Sequence, residues 1–167
     1  MKTDITNDTR NAVIIVMTDE NNGNDIYNRI VGIPKNKSYS NAIEHIKIGT
    51  RIYIYYKGIG ISKIVEAVST PYVDYTVIPE WDCGQPEKYA LRVNTKVIWD
   101  SVIPLKSSDV VNLGILHVNT GKPLVVLFPQ HSLTPISAHD SDLIFNVLIP
   151  KSLSSWVIGG NECQRVD

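Results

Sequence analysis

Residues 30–76 read IVGIPKNKSYSNAIEHIKIGTRIYIYYKGIGISKIVEAVSTPYVDYT, and the two runs in the middle decide the fold. From Arg51 to Lys57 the chain alternates, with Ile52, Ile54 and Tyr56 on one side and Arg51, Tyr53, Tyr55 and Lys57 on the other. That period of two is a strand half buried in a sheet. Gly58-Ile59-Gly60 turns the chain tightly into a second strand, Ile61 to Ser69, so the pair is a hairpin. Positive charge is concentrated between Arg29 and Lys63. Seven basic residues (Arg29, Lys35, Lys37, Lys47, Arg51, Lys57 and Lys63) stand against one acid, Glu44, a local balance of +6 in a chain whose total is −1. A basic segment set in an acidic remainder is the asymmetry of a nucleic-acid-binding surface, with Lys35, Lys37, Arg51 and Lys57 placed to contact phosphates.

Working outward, Ala12 to Met17 is a continuous β-branched apolar run, the pattern of a strand buried on both faces. Residues 25–30 read as a short helix, and Pro34 behind them leaves Lys35, Asn36 and Lys37 in a loop. Ser40 is placed to cap a second helix through Ile46, closed by Gly49. Asp74 to Glu87 carries four acids and no base, an acidic surface loop that also holds Trp81. Tyr89 to Trp99 alternates again: Tyr89, Leu91, Val93, Val97 and Trp99 point inward, and Arg92, Asn94 and Lys96 outward. On that alternation Arg92 lies within reach of phosphate or of a neighbouring carboxylate. Tyr53 and Tyr55, outward on their strand, either stack on bases or pack.

Strands at Ile115 to Val118 and Leu124 to Phe128 follow, joined by a turn at Asn119-Thr120-Gly121. A last helix is capped by Ser137 and Asp140, carries the packing stripe Leu143, Ile144, Val147 and Leu148, and stops at Pro150. About six short strands with peripheral helices make an α+β domain built on a small closed or partly closed β-barrel. One domain over 12–149 is expected, with a polar tail at 1–11 and a tail or linker at 150–167.

No apolar run reaches the roughly 20 residues of a membrane-spanning helix, and the polar start has no signal-peptide core, so a cytoplasmic protein that does not use the membrane is expected. Cys83 and Cys163 lack metal-ligand spacing, and the histidines show no HExxH pattern, so no metal or other cofactor is called for. There is no GxSxG elbow and no phosphate loop around Gly58-Ile59-Gly60. A non-enzyme is the expectation.

In the order of its pieces the chain resembles the EVE family, a branch of the PUA-like superfamily related to YTH domains. The resemblance covers about Ala12 to Ile149. It rests on a first strand ending in Thr18, GIPKNK from Gly32, KIGTRIYIYY from Lys47, VEAVSTPYVDYT from Val65, YALRV from Tyr89 and ISAHDSDLI from Ile136. It implies a PUA-like barrel whose pocket stacks a modified or flipped base, each stacked base being worth roughly 1–3 kcal/mol. Carried over onto this chain, the base pocket comprises Thr18, Val31, Gly32, Pro34, Tyr56, Tyr72, Asp74 and Trp81, and Asp74 either meets the base or braces its loop. Val31 stands where the family has a tryptophan, so one aromatic wall is missing or is replaced by Tyr56, Tyr72, Tyr75 or Trp81. EVE-like domains also open McrB-type restriction proteins. By that analogy the partner is DNA ahead of RNA, and the domain acts with, or is fused to, a motor or nuclease. The alternatives are a stand-alone reader of modified RNA and a protein-interaction domain with a closed pocket.

Overall fold

The computed structural model describes residues 12–17, 26–33, 43–78, 89–115 and 133–149. Among these residues seven strands form one curled sheet: β1 (Ala12–Met17), β2 (Ile30–Ile33), β3 (Arg51–Tyr56), β4 (Gly60–Ala67), β5 (Tyr72–Val73), β6 (Leu91–Leu105) and β7 (Leu133–Ile136). Their order is β2-β6-β4-β3-β1-β7, with β5 lying against β6. All pairings are antiparallel except β1 with β3. The sheet curls because β6 changes partners along its length: Leu91 to Asn94 pair with β2, and the residues from Thr95 onward pair with β4. The arrangement is an α+β half-barrel. Among the described residues no helix is long and apolar enough to cross a membrane.

Two apolar clusters cover the two faces of this sheet. The interior face carries Val13, Ile15, Met17, Ile52, Ile54, Tyr56 and Val65. The outer face carries Ile14, Tyr53, Tyr55 and Ile64 against residues of two helices, α1 (Ser107–Asn112) and α2 (residues 138–149). β1 is therefore buried at every position, as its unbroken apolar run requires. α2 begins as its sequence specifies: the Asp140 amide donates to Ser137 Oγ at 3.1 Å, and Ile144 and Leu148 reach the core.

Several expectations are corrected. The short helix expected over residues 25–30 does not run to Ile30. Ile26–Asn28 make one 3-10 turn, and Ile30 already belongs to β2. Of the helix expected from Ser40, the described part is a 3-10 turn at Ile43–His45. Tyr53 and Tyr55 do not face solvent, because α2 covers their side of β3 and leaves them 0% and 5% exposed. The Tyr53 hydroxyl donates to the Ser141 carbonyl at 2.8 Å and lies 2.9 Å from Ser141 Oγ, and burial raises its pKa above the ordinary tyrosine value. Val97 and Trp99 do not share a face either. Val97 pairs with Val65 and Trp99 with Ile64, so Ile98 is an extra residue that reverses the alternation. α1 has no counterpart among the elements expected from sequence. Its start is closed by the Lys106 amide donating to Asp109 Oδ2 at 3.2 Å, and its end by Gly114 at φ 73°. The strands expected at Ile115 to Val118 and Leu124 to Phe128 lie, apart from Ile115, outside the described residues.

Candidate functional site

A second bulge creates the most unusual feature of the interior. Tyr55 pairs with Ile61 but Ile54 pairs with Lys63, so Ser62 is an extra residue in β4. Ile61 and Lys63, two apart in sequence, therefore point to opposite faces. Ile61 packs under the helices, whereas Lys63 turns into the interior beside Ile54 and is 0% exposed. A lysine is almost never buried so completely without partners. Here its Nζ donates to Asn28 Oδ1 and lies 3.2 Å from Asp100 Oδ2, the Asp100 side chain being 56% exposed. The ammonium thus sits at the rim, between a half-buried amide and a carboxylate open to water.

Asn28 ends the 3-10 turn whose Tyr27 ring lies 6.3 Å from that of Tyr56, the planes tilted by 44°. This turn is held to β6 twice, by Thr95 Oγ1 donating to the Tyr27 carbonyl at 2.9 Å and by the Thr95 amide donating to the Arg29 carbonyl at 3.0 Å. Two aromatic rings and the polar trio Lys63, Asn28 and Asp100 therefore meet at one part of the barrel interior. Tyr56 and Val31 are the two expected base-pocket residues that join this interior cluster, together with Tyr27. Neither Tyr27 nor Lys63 stands out in the sequence as a pocket residue. Strict alternation puts Lys63 with Ile61 on the wrong face, and Tyr27 falls in a segment that reads as a helix.

Tyr72 and Asp74 stand elsewhere. Gly32 and Tyr72 both pair with Arg92, while Val31 pairs with Val93. Paired residues share a face, so Gly32, Arg92 and Tyr72 lie on the side of the sheet opposite Val31 and Val93. Arg92 is not outward-facing and available to phosphate, as its alternation implies. It is 2% exposed and fully engaged: Nε donates to the Tyr89 carbonyl at 3.0 Å, Nη2 donates to the Thr76 carbonyl, and Nη1 lies 3.6 Å from Asp74 Oδ2. Asp74 Oδ1 in turn accepts the Thr76 amide at 2.8 Å. That hydrogen bond, assisted by Arg92, holds the Asp74 carboxyl below the usual range. The Tyr72 hydroxyl donates to Asn94 Oδ1 at 2.6 Å, and burial, then the nearby Asp74 charge, raises its pKa. In this geometry Asp74 braces the segment after β5.

The basic residues do not form one face among those described. Arg51 is tied to α2: its guanidinium lies 4.1 Å from the centroid of the Phe145 ring, 3.7 Å from Asp142, and 3.4 Å from both Tyr53 Oη and Ser141 Oγ. Lys47 is exposed before the start of β3 and Lys57 after its end, separated by roughly 20 Å of strand. Arg29 is exposed near the Tyr27 turn, and Lys63 is inside. Thr18, Pro34, Lys35, Lys37 and Trp81 lie outside the described residues. Among the described residues no group of three histidine, cysteine or acidic side chains is placed to hold a metal.

No protein-family model matches the sequence, and no curated protein matches it significantly. Solved structures do match. The Mmi1 YTH domain crystallised with RNA superimposes with a TM-score of 0.57 at 12% identity, over 88% of this chain and 83% of that one. The YTH domain of Zygosaccharomyces rouxii MRB1, in complex with N6-methyladenosine RNA, gives 0.53 at 18% identity, over 82% and 86%. Human THYN1, in complex with DNA containing 5-methylcytosine, gives the same TM-score and identity, over 82% and 96%. The curled mixed sheet, the covering helices and these superpositions establish that the chain adopts the α+β PUA-like fold of YTH domains.

Proposed function

We propose that this chain is a non-catalytic nucleic-acid-binding module that reads a modified or flipped base. The observation that carries the reading is the fold, which is similar to those of domains crystallised with RNA, with N6-methyladenosine RNA and with 5-methylcytosine DNA. Tyr27, Tyr56 and Val31 supply apolar and aromatic surface, and Lys63, Asn28 and Asp100 supply hydrogen-bonding groups beside it. Lys35, Lys37 and Lys57 provide the phosphate contacts, and Arg51 and Arg92 are held by internal partners. DNA is preferred over RNA, as a specificity domain acting with a motor or nuclease in the cytoplasm. One observation favours a second reading, a protein-interaction domain with a closed barrel: Tyr27, Val31 and Tyr56 are each no more than 4% exposed.

Fluorescence-anisotropy titrations with methylated and unmodified DNA and RNA separate these readings. With three phosphate contacts on duplex DNA, affinity falls about 40-fold between roughly 50 and 200 mM salt. Charge reversal at Lys35 and Lys37 together weakens binding by about tenfold or more at low salt. Tighter binding to modified single-stranded RNA than to any DNA makes the protein an RNA reader. Absence of binding to every polymer at low salt overturns the proposal in favour of the closed-barrel reading.

A further inference from the structure

We infer that Lys63 and Asn28 become joined by an amide bond, formed within the folded chain with Asp100 carrying the protons. Lys63 Nζ donates to Asn28 Oδ1, so the atom it touches is one bond away from the amide carbon, Cγ. Asp100 Oδ2 lies 3.2 Å from the same nitrogen, within reach of its protons. The lysine is 0% exposed, in an interior that includes Ile54, Tyr27 and Tyr56. A nucleophile, a carbonyl carbon and a proton acceptor are the parts an amine needs to displace ammonia from a carboxamide. Backbone pairing holds all three. Lys63 and Asp100 are direct partners in the ladder between β4 and β6, and the Ser62 bulge turns Lys63 inward. Asn28 stands between two anchored residues, because the Tyr27 and Arg29 carbonyls both accept hydrogen bonds from Thr95. Groups held in contact react as if at effective concentrations of about 10⁵–10⁸ M when well oriented, which brings slow reactions within reach.

Asp100 takes one proton from the Lys63 ammonium. The freed lone pair of Nζ attacks Asn28 Cγ as the amide turns about its last side-chain torsion, a soft one. The tetrahedral carbon collapses by breaking its bond to Nδ2, which takes the proton from Asp100 and leaves as ammonia. Asp100 then removes the second Nζ proton and passes it to the departing ammonia. One ammonium side chain and one carboxamide thus become a secondary amide and a free ammonium ion, with no oxidant or reductant. Burial favours the product. The ammonium is deep while the Asp100 side chain is 56% exposed, so only one member of the pair is well hydrated. Forming the amide removes the buried charge and leaves the carboxylate to water. Lys96 offers the contrast: 3.8 Å from Glu66 and with its side chain 63% exposed, it keeps its charge in water as an ordinary ion pair. The new amide still offers one N–H and one carbonyl beside Tyr27 and Tyr56, so the inference stands or falls independently of nucleic-acid binding.

Mass spectrometry of the intact, folded protein is the test. The wild type is expected to weigh less than its sequence by one ammonia, and proteolysis is expected to release a branched fragment that carries Asn28 and Lys63 together. Lys63→Met, Asn28→Ala and Asp100→Ala are each expected to show the full mass of their sequences. Asp100→Ala does so without loss of folding, because its side chain is exposed. A wild-type mass equal to that of the sequence overturns the inference. So does an ammonia loss that survives Lys63→Met, because a succinimide at an asparagine gives the same loss without the lysine. A branched fragment recovered from Asp100→Ala overturns the role of Asp100.

Discussion

Replacing Gly60 with alanine is expected to cost roughly 3–5 kcal/mol, combining a disfavoured backbone conformation with overpacking. Gly60 has φ 128°, and a Cβ at that position collides with the backbone of β6, meeting the Leu105 carbonyl oxygen, its carbon at 2.9 Å and Lys106 Cα at 3.0 Å. The approach is this close because Ile61, the next residue, pairs with Leu105 at the far end of β6. Backbone atoms held in a ladder cannot rotate away as a flexible side chain does. At Gly58, two residues earlier with φ 86°, an added Cβ meets nothing within 4 Å, so Gly58→Ala costs only the conformational term, about 1–2 kcal/mol. Urea denaturation of the two variants measures the contrast. A domain of ordinary stability, about 5–15 kcal/mol, survives the second change and is left marginal by the first. Equal costs would contradict the close approach of β4 and β6.

Arg92→Leu is expected to destabilise by roughly 2–4 kcal/mol, since it leaves two carbonyl oxygens without their donor and a carboxylate without its countercharge. The guanidinium ties β6 to the segment after β5 through Tyr89, Thr76 and Asp74, and it is 2% exposed. Arg92→Lys does not restore the loss, because one ammonium cannot reproduce the fork that reaches all three partners. Hydrogen exchange should quicken at the Asp74 and Thr76 amides, which donate to the Ala90 carbonyl and to Asp74 Oδ1. Acid dependence follows from the same cluster. The Asp74 carboxyl is depressed, chiefly by the Thr76 amide and further by Arg92. Its contribution is present above the ordinary aspartate value of about 3.9 and is lost as pH falls through the lower folded value. The stability difference between wild type and Asp74→Asn therefore holds steady above about pH 5 and closes on acidification, as thermal melts across that range would reveal.

Much of the scaffold is legible in the sequence because local chemistry and tertiary placement agree. The unbroken apolar run Ala12 to Met17 is a strand buried on both sides, Gly58-Ile59-Gly60 is the turn between β3 and β4, and Ser137 starts α2. What cannot be read depends on single extra residues. Ser62 turns Lys63 inward, and Ile98 separates Val97 from Trp99, yet nothing in either tripeptide announces a bulge. Tyr53, Tyr55 and Arg51 look available because strand alternation does not reveal which helix will cover the second face. The candidate site is legible only in part. Val31 and Tyr56 belong to the interior cluster, while Tyr27, Asn28, Lys63 and Asp100 come together through long-range pairing that no local spacing encodes. Arg92 shows the converse: a polar residue in an exposed register becomes a buried brace once β5 closes over it.

Entry of a base into the barrel beside Tyr27 and Tyr56 is tested most directly by following the ring signals of those tyrosines by NMR during titration with an oligonucleotide. Both rings, 6.3 Å apart, are expected to shift together with the Lys63 side-chain signals as the complex forms. Binding that moves only exposed lysines such as Lys57, and leaves the Tyr27, Tyr56 and Lys63 signals in place, would contradict it.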